Sequence, residues 1–208
     1  MAASTKAKYL IFFMIFNFFT YFGLQYLITH NEYSFLTSMD AQIPMVPSFI
    51  WIYHTLIPVI CVSMYSLIVK REVFMTAFTA FLVATIVLSL CYIFFPSFYP
   101  RPPLQPETIS ESLLVLTRSV DGAHNTFPSG HVTFAWLLFF SMGLSTQAHK
   151  SRWTRHVYFF WAALISISTL VLKQHYILDV FAGIILAAAS FYLAKYFIFQ
   201  RRLLTSQN

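Results

Sequence analysis

Asn125-Thr126-Phe127-Pro128-Ser129-Gly130-His131 leads directly into a run of apolar residues. Proline tolerates the first turn of a helix, where its missing N–H has no partner to lose, and Asn125 or Thr126 is placed to cap. The N–H groups around Ser129, Gly130 and His131 then point out of the helix start, which is an anion site. Gly130 lets a phosphate approach the backbone, the Ser129 hydroxyl can donate to it, and His131 is a proton donor that titrates near neutrality. The same residues also describe an ordinary capped helix with an interfacial histidine. In Lys173-Gln174-His175-Tyr176-Ile177-Leu178-Asp179, His175 and Asp179 are four apart, which places them on one helical face. Asp179 is the only acidic residue within an apolar run, where a carboxylate costs about 2.5–3.5 kcal/mol on insertion scales. It therefore needs a partner, and His175 is the one at hand. A carboxylate bonded to one imidazole nitrogen leaves the other unprotonated and nucleophilic. A buried hydrogen bond that only ties two helices together would use the same pair. The third segment, Tyr99-Pro100-Arg101-Pro102-Pro103, offers the fixed donor fork of Arg101, which matches phosphate. Pro-rich interfacial loops with a single Arg are also frequent.

Positioning these segments falls to a chain of 208 residues that is 58% hydrophobic and 10% charged, far below the roughly 25% charged content of soluble domains. Its apolar residues come in uninterrupted runs of about 20, the length that crosses bilayer hydrocarbon. The expected fold is all-α: one integral-membrane domain, 1–208, with six transmembrane helices near 9–29, 48–69, 73–96, 128–147, 157–172 and 176–198. The first run follows Lys6 and Lys8 like a signal peptide, but it is long, carries Asn17 and Gln25 and lacks a small-residue cleavage site, so it reads as a retained span. A single helix over 157–198 would measure about 60 Å, twice the hydrocarbon thickness. A turn at Lys173-Gln174-His175 is therefore required. The one long polar connection is 97–127, and loops of that length are usually functional.

Cys61 and Cys91 fall inside apolar runs, which excludes a disulfide scaffold. The net charge of +6 comes from basic residues scattered at the ends of apolar runs, which excludes nucleic acid as a partner. Lys6, Lys8, Lys70, Arg71, Lys150, Arg152, Arg155, Lys195, Arg201 and Arg202 share one side of a six-span layout, the expected cytoplasmic side, together with both termini. Arg101, Arg118 and Lys173 remain on the other side, with both histidine segments.

Arg101-Pro102, Pro128-Ser129-Gly130-His131 and then Ser168, His175 and Asp179 resemble the type 2 phosphatidic acid phosphatase superfamily. That family holds membrane lipid phosphatases, lipid phosphotransferases and soluble vanadium haloperoxidases, and its motifs run K-x6-R-P, P-S-G-H and S-R-x5-H-x3-D. The second motif matches completely, and the motif region extends over 94–183. The resemblance implies that His175 attacks phosphorus to give a phosphohistidine, that Asp179 orients it, and that His131 protonates the leaving oxygen. Arg101, Ser129 and Gly130 would hold the phosphoryl oxygens, with no metal or cofactor. The substrate would be a phospholipid or an isoprenoid or sphingolipid phosphate in the membrane. Two positions depart from the pattern: Phe94 stands where the family has Lys, and Thr169 where it has Arg. Lys173 is a replacement cation by position, and equally an interfacial lysine whose stem snorkels. Fewer cations suit a singly charged phosphodiester better than a doubly charged monoester. The expectation therefore leans to headgroup transfer, as in the branches that make sphingomyelin or inositol phosphorylceramide. The alternatives are hydrolysis of phosphatidic acid or a prenyl phosphate, and a non-catalytic lipid-binding or transport protein on the same fold.

Overall fold

The computed structural model describes residues 1–28, 33–147 and 152–205. Residue 29 of the first expected span, Glu32 and Lys150 lie outside these, as do the side chains of Arg152, Arg201 and Arg202. Eight helices follow one another among the described residues: α1 Ala3–Leu27, α2 Ser38–Gln42, α3 Pro47–Leu67, α4 Arg71–Phe94, α5 Ile109–Val120, α6 Gly130–Gln147, α7 Arg152–Val171 and α8 Ile177–Thr205. Helix α3 is composite. It opens as a 3-10 turn at Pro47–Phe49, breaks at His54 and Thr55, and ends as a π-helix over Ser63–Leu67.

Among the described residues, four helices are long and apolar enough to cross a membrane by composition: α1, α3, α4 and α8 as far as Gln200. The expectation of six such spans is met by those four alone. The apolar part of α6, Gly130–Ser145, is shorter. Helix α7 opens with Arg152, Arg155 and His156 and carries Ser166, Ser168 and Thr169 near its end, which dilutes its apolar character. The turn required near residue 173 is present, since α7 stops at Val171 and α8 starts at Ile177.

Between lipid-facing helices there is no hydrophobic force to drive packing, so small residues that let backbones approach do that work. Ala77, Ala80 and Ala84 of α4, Ala135 of α6, Ala162 of α7 and Ala187 and Ala194 of α8 are all fully buried. Phe74, Phe81, Leu137, Leu138 and Ile165 fill the space between them. The opposite faces present Phe18, Phe19, Trp153, Phe181 and Ile185, exposed in the way only a hydrocarbon surrounding tolerates. These helices make the chain an integral membrane protein.

One contact decides where α8 lies. A Cβ on Gly183 would sit 2.9 Å from the Ser129 carbonyl oxygen and 3.2 Å from Thr133 Oγ1. Only glycine therefore admits the start of α8 against the start of α6. Thr133 Oγ1 donates to the Ser129 carbonyl at 2.8 Å and lies 3.3 Å from the Gly183 carbonyl across this crossing.

The two ends of the bundle differ. At one, buried Lys6 donates to the carbonyls of Tyr65 (2.9 Å) and Ile68 (2.7 Å), closing the last turn of α3. At the other, the loops collect. Tyr33 pairs with Ser97, and Phe98 with His124, in two isolated bridges. Most of 97–127 was expected to be irregular, yet it contains α5. A capping box opens that helix: Thr108 Oγ1 accepts the Glu111 N–H at 3.2 Å, and Glu111 Oε2 accepts the Thr108 N–H at 2.8 Å. The Thr108-x-x-Glu111 spacing before Leu113 and Leu114 was the available signal.

Candidate active site

The looped end brings the three sequence segments together. His175 lies in the turn between α7 and α8, where Lys173 takes a left-handed φ of 56° and the N–H groups of Gln174 (3.0 Å) and His175 (3.2 Å) both return to the Thr169 carbonyl. The imidazole is buried. Its Nδ1 is 2.9 Å from the Thr126 carbonyl and 3.3 Å from Asp179 Oδ2. Both neighbours are acceptors, so Nδ1 carries the hydrogen and Nε2 keeps its lone pair.

The pairing of His175 with Asp179 does not arise as expected. Helix α8 begins at Ile177, so His175 is not on it and the two share no helical face. Asp179 is the third residue of α8, and its Oδ2 folds back to accept the Tyr176 N–H at 2.9 Å, as the acid of a capping box does. The carboxylate thus sits at the positive end of its own helix, which offsets its burial. The nearer acceptor for His175 is a main-chain carbonyl, which the sequence could not indicate.

Asp40 of α2 completes this helix start. Its Oδ1 accepts the Ile177 N–H at 2.8 Å, and its carbonyl accepts from Lys173 Nζ at 2.8 Å. Burial works to raise the Asp40 carboxyl; hydrogen bonds from Thr37 and from the Ile177 N–H, with the Lys173 charge, outweigh it and hold the group below its ordinary range.

His131 is the second residue of α6. Its ring stacks on Tyr53 at 4.0 Å, and its centroid lies 6.4 Å from that of His175. That spacing lets the two imidazoles flank one phosphoryl group. Ser129, fully buried, is the N-cap: its Oγ accepts the Val132 N–H at 3.4 Å, while its own N–H donates to the Asp179 carbonyl at 3.1 Å. The expected cap at Asn125 or Thr126 is therefore displaced by three or four residues, and Pro128 precedes the helix in a cis peptide. Thr126 instead donates from Oγ1 to Ser97 Oγ at 3.0 Å, while its carbonyl faces His175. The His131 N–H meets no main-chain acceptor among the described residues, as the first turn of a helix leaves it, whereas the Gly130 N–H is turned to the Tyr92 hydroxyl oxygen.

Arg101 donates through Nη1 to the carbonyls of Arg118 (3.4 Å) and Asp121. Arg118 donates to the carbonyls of Pro102 and Leu172, each at 3.0 Å, the latter three residues before His175. Burial, and then the neighbouring Arg101, bring Arg118 down to about 10, which still leaves it charged at neutral pH. Phe94 faces outward at the end of α4, and Thr169 is buried with its hydroxyl on the Ser166 carbonyl at 2.8 Å, so neither departure from the motif is compensated at its own position.

Buried polar atoms without a partner gather at this same end: Nε of Arg101 and of Arg118, the amides of Asn125 and Gln174, and Asp179 Oδ1. Each costs about 1–3 kcal/mol unless water or a ligand pairs it. No group of three or more His, Cys, Asp or Glu among the described residues is arranged to hold a metal ion. Tyr53, Asp121, Arg118 and Asp40 belong to this end, yet no spacing in the sequence singled out their contacts.

The class so defined is an all-helical integral membrane protein whose two imidazoles converge beside a glycine-bearing helix start at one end of the bundle. Residues 97–203 match the PAP2 superfamily, and the chain belongs to that family. This is the superfamily whose motifs the sequence carries. Among solved structures, it is similar to the crystal structure of Aquifex aeolicus LpxE, with a TM-score of 0.52 and 17% identity over 75% of this chain and 84% of that one. A comparison with curated proteins finds no significant match.

Proposed function

We propose that this protein is a membrane enzyme that cleaves or transfers a lipid-linked phosphate through a phosphohistidine. The observation that carries the reading is the pair of imidazoles 6.4 Å apart, one of them with Nδ1 tied to acceptors and Nε2 free. In the first step the Nε2 lone pair of His175 forms a bond to phosphorus as the bond to the leaving oxygen breaks, and His131 passes a proton to that oxygen. In the second, water or a lipid alcohol attacks phosphorus, its proton goes to His131, and the P–N bond breaks. The Gly130 and His131 N–H groups, the Ser129 hydroxyl and Arg101 hold the phosphoryl oxygens. Asp179 and the Thr126 carbonyl stabilise the charge that His175 gains on phosphorylation. Lys173, already bonded to Asp40, contributes its charge from a distance.

Around the imidazoles, Arg101, Arg118 and Lys173 are set against Asp40, Asp121 and Asp179, so the fixed charges cancel. A balanced site disfavours a dianion more than a monoanion, which supports phosphodiester headgroup transfer. The adjacency of Arg118 and Arg101 favours a second reading, hydrolysis of a phosphomonoester. Purified protein is expected to move a headgroup from a phosphodiester lipid to an alcohol acceptor faster than it releases phosphate from phosphatidic acid at the same pH. The opposite ranking establishes the hydrolase. No turnover and no labelled phosphoenzyme with either lipid would leave a non-catalytic binding protein.

In this reading α6 and α7 also cross the membrane, and the site lies outside the cytoplasm. Lys6, Lys8, Lys70, Arg71 and Lys195 belong to the opposite end, which positive-inside asymmetry makes cytoplasmic. In intact cells, Gln105→Cys should react with an impermeant thiol reagent and Lys70→Cys should not. The reverse labelling pattern would invert the topology.

A further inference from the structure

Tyr53 and Asp121 belong to no motif, yet they converge on the ring assigned above as proton donor. Tyr53 ends the first α-helical turn of α3, just before the break at His54 and Thr55, and is buried with 3% exposure. Its ring lies against His131 at a centroid distance of 4.0 Å and an interplanar angle of 23°. Its Oη is 3.3 Å from His131 Nδ1 and 3.2 Å from Asp121 Oδ2. Asp121 follows α5 directly, and its other carboxylate oxygen accepts from Tyr21 Oη of α1. Arg101 holds the Asp121 carbonyl from the far side.

We infer that Tyr53 and Asp121 are positioning residues for His131, a phenol-carboxylate chain that fixes which imidazole nitrogen gives and takes the proton. The inference rests on the reading of His131 as the general acid and goes beyond it. Its logic is a count of hydrogens. An ionised carboxylate only accepts, so the single phenolic hydrogen of Tyr53 points to Asp121 Oδ2, and Tyr21 donates its own to Oδ1. Tyr53 Oη then offers His131 a lone pair and no hydrogen. Nδ1 must be the N–H nitrogen, and Nε2 is left as the position of proton gain and loss. His175 is fixed in the same tautomer by the Thr126 carbonyl and Asp179, so both imidazoles work through Nε2. The stack between Tyr53 and His131 sets the plane of the ring as well as its tautomer, and a general acid is effective only when aimed at the leaving oxygen.

Substituted phenyl phosphates whose leaving phenols range from p-nitrophenol to unsubstituted phenol test this, because the need for an acid grows with leaving-group basicity. His131→Ala should lose little with p-nitrophenyl phosphate and about 100-fold with phenyl phosphate. Tyr53→Phe and Asp121→Asn should show the same trend at smaller amplitude, about tenfold at the basic end, the worth of one hydrogen bond. Adding Tyr53→Phe to His131→Ala should cost nothing further. A loss independent of leaving group in His131→Ala removes that residue as the acid and so fails the functional reading. A steep trend in His131→Ala with a flat or additive loss in Tyr53→Phe overturns the positioning role alone. A readout independent of turnover is the ¹⁵N spectrum of histidine-labelled protein in detergent micelles, with the His131 signals assigned by their loss in His131→Ala. Wild type should show neutral His131 as the Nδ1–H tautomer and Tyr53→Phe a mixture of the two. The same tautomer in both proteins overturns the inference.

Discussion

His175→Ala protein is expected to take up no label from a phosphorus-labelled lipid and to lose turnover by about 10⁴-fold or more, since a covalent route without its nucleophile has no first step. The proposed reading gives His175 that role. Nδ1 is committed to the Thr126 carbonyl at 2.9 Å, and Nε2 belongs to the side of the ring without those acceptors. The substitution should spare the fold, because the turn that carries His175 is held by main-chain bonds to Thr169 and by Lys173 on Asp40. Persistent labelling of His175→Ala would place the nucleophile elsewhere. Asp179→Asn makes an informative companion. The Thr126 carbonyl still holds Nδ1–H in that variant, so the tautomer survives while the compensating negative charge is lost. Partial activity is therefore expected, and full activity would remove Asp179 from the mechanism.

Arg101→Ala should cost about 3–4 kcal/mol of transition-state stabilisation, a loss of about 10²–10³ in kcat/KM, if its guanidinium meets the phosphoryl oxygens. The buried Nε of Arg101 has no acceptor among the described residues, and its charge lies beside Asp121 and, through it, Tyr53 and His131. Arg118→Ala should cost less, because both of its bonded amino groups serve the carbonyls of Pro102 and Leu172. Its effect is diagnostic in another way. A Coulomb contribution scales with ligand charge, so a charge-only role for Arg118 weakens phosphatidic acid more than a phosphodiester lipid. Equal losses for the two lipids would mean that Arg118 matters through the turn it braces before His175. A negligible effect of Arg101→Ala would return Arg101 to the status of a loop residue.

Much of this architecture follows from local sequence because its rules are local. Hydrocarbon thickness sets how long an apolar run must be, and the rise of a helix sets where 157–198 has to turn, so the break around Lys173 was legible before any contact was known. Pro128-Ser129-Gly130-His131 could likewise be read as a helix start, though of its N–H groups that of Ser129 is taken by the Asp179 carbonyl and that of Gly130 by Tyr92. Local spacing misleads where it has two structural solutions. His175 and Asp179, four apart, suit one helical face, but they meet instead as a turn residue and a capping acid, because α8 begins only at Ile177. Helix α5 was hidden because a short amphipathic helix in an aqueous loop is half polar, and hydropathy reads it as loop.

Partner choice was not local at all. Tyr53 lies 78 residues from His131, and Lys173 lies 133 from Asp40. No periodicity joins positions that far apart. The two histidine segments meet because α6 and α8 can cross at Gly183, where any Cβ would strike the Ser129 carbonyl, and that crossing sets the start of one helix against the start of the other. Sequence alone singled out the side chains proposed for phosphorus chemistry and the single end of the bundle at which they would gather. Only the packed structure decided which acceptor each imidazole faces, because an unpaired group in a buried site takes whatever partner the crossing helices and their loops bring within hydrogen-bond reach.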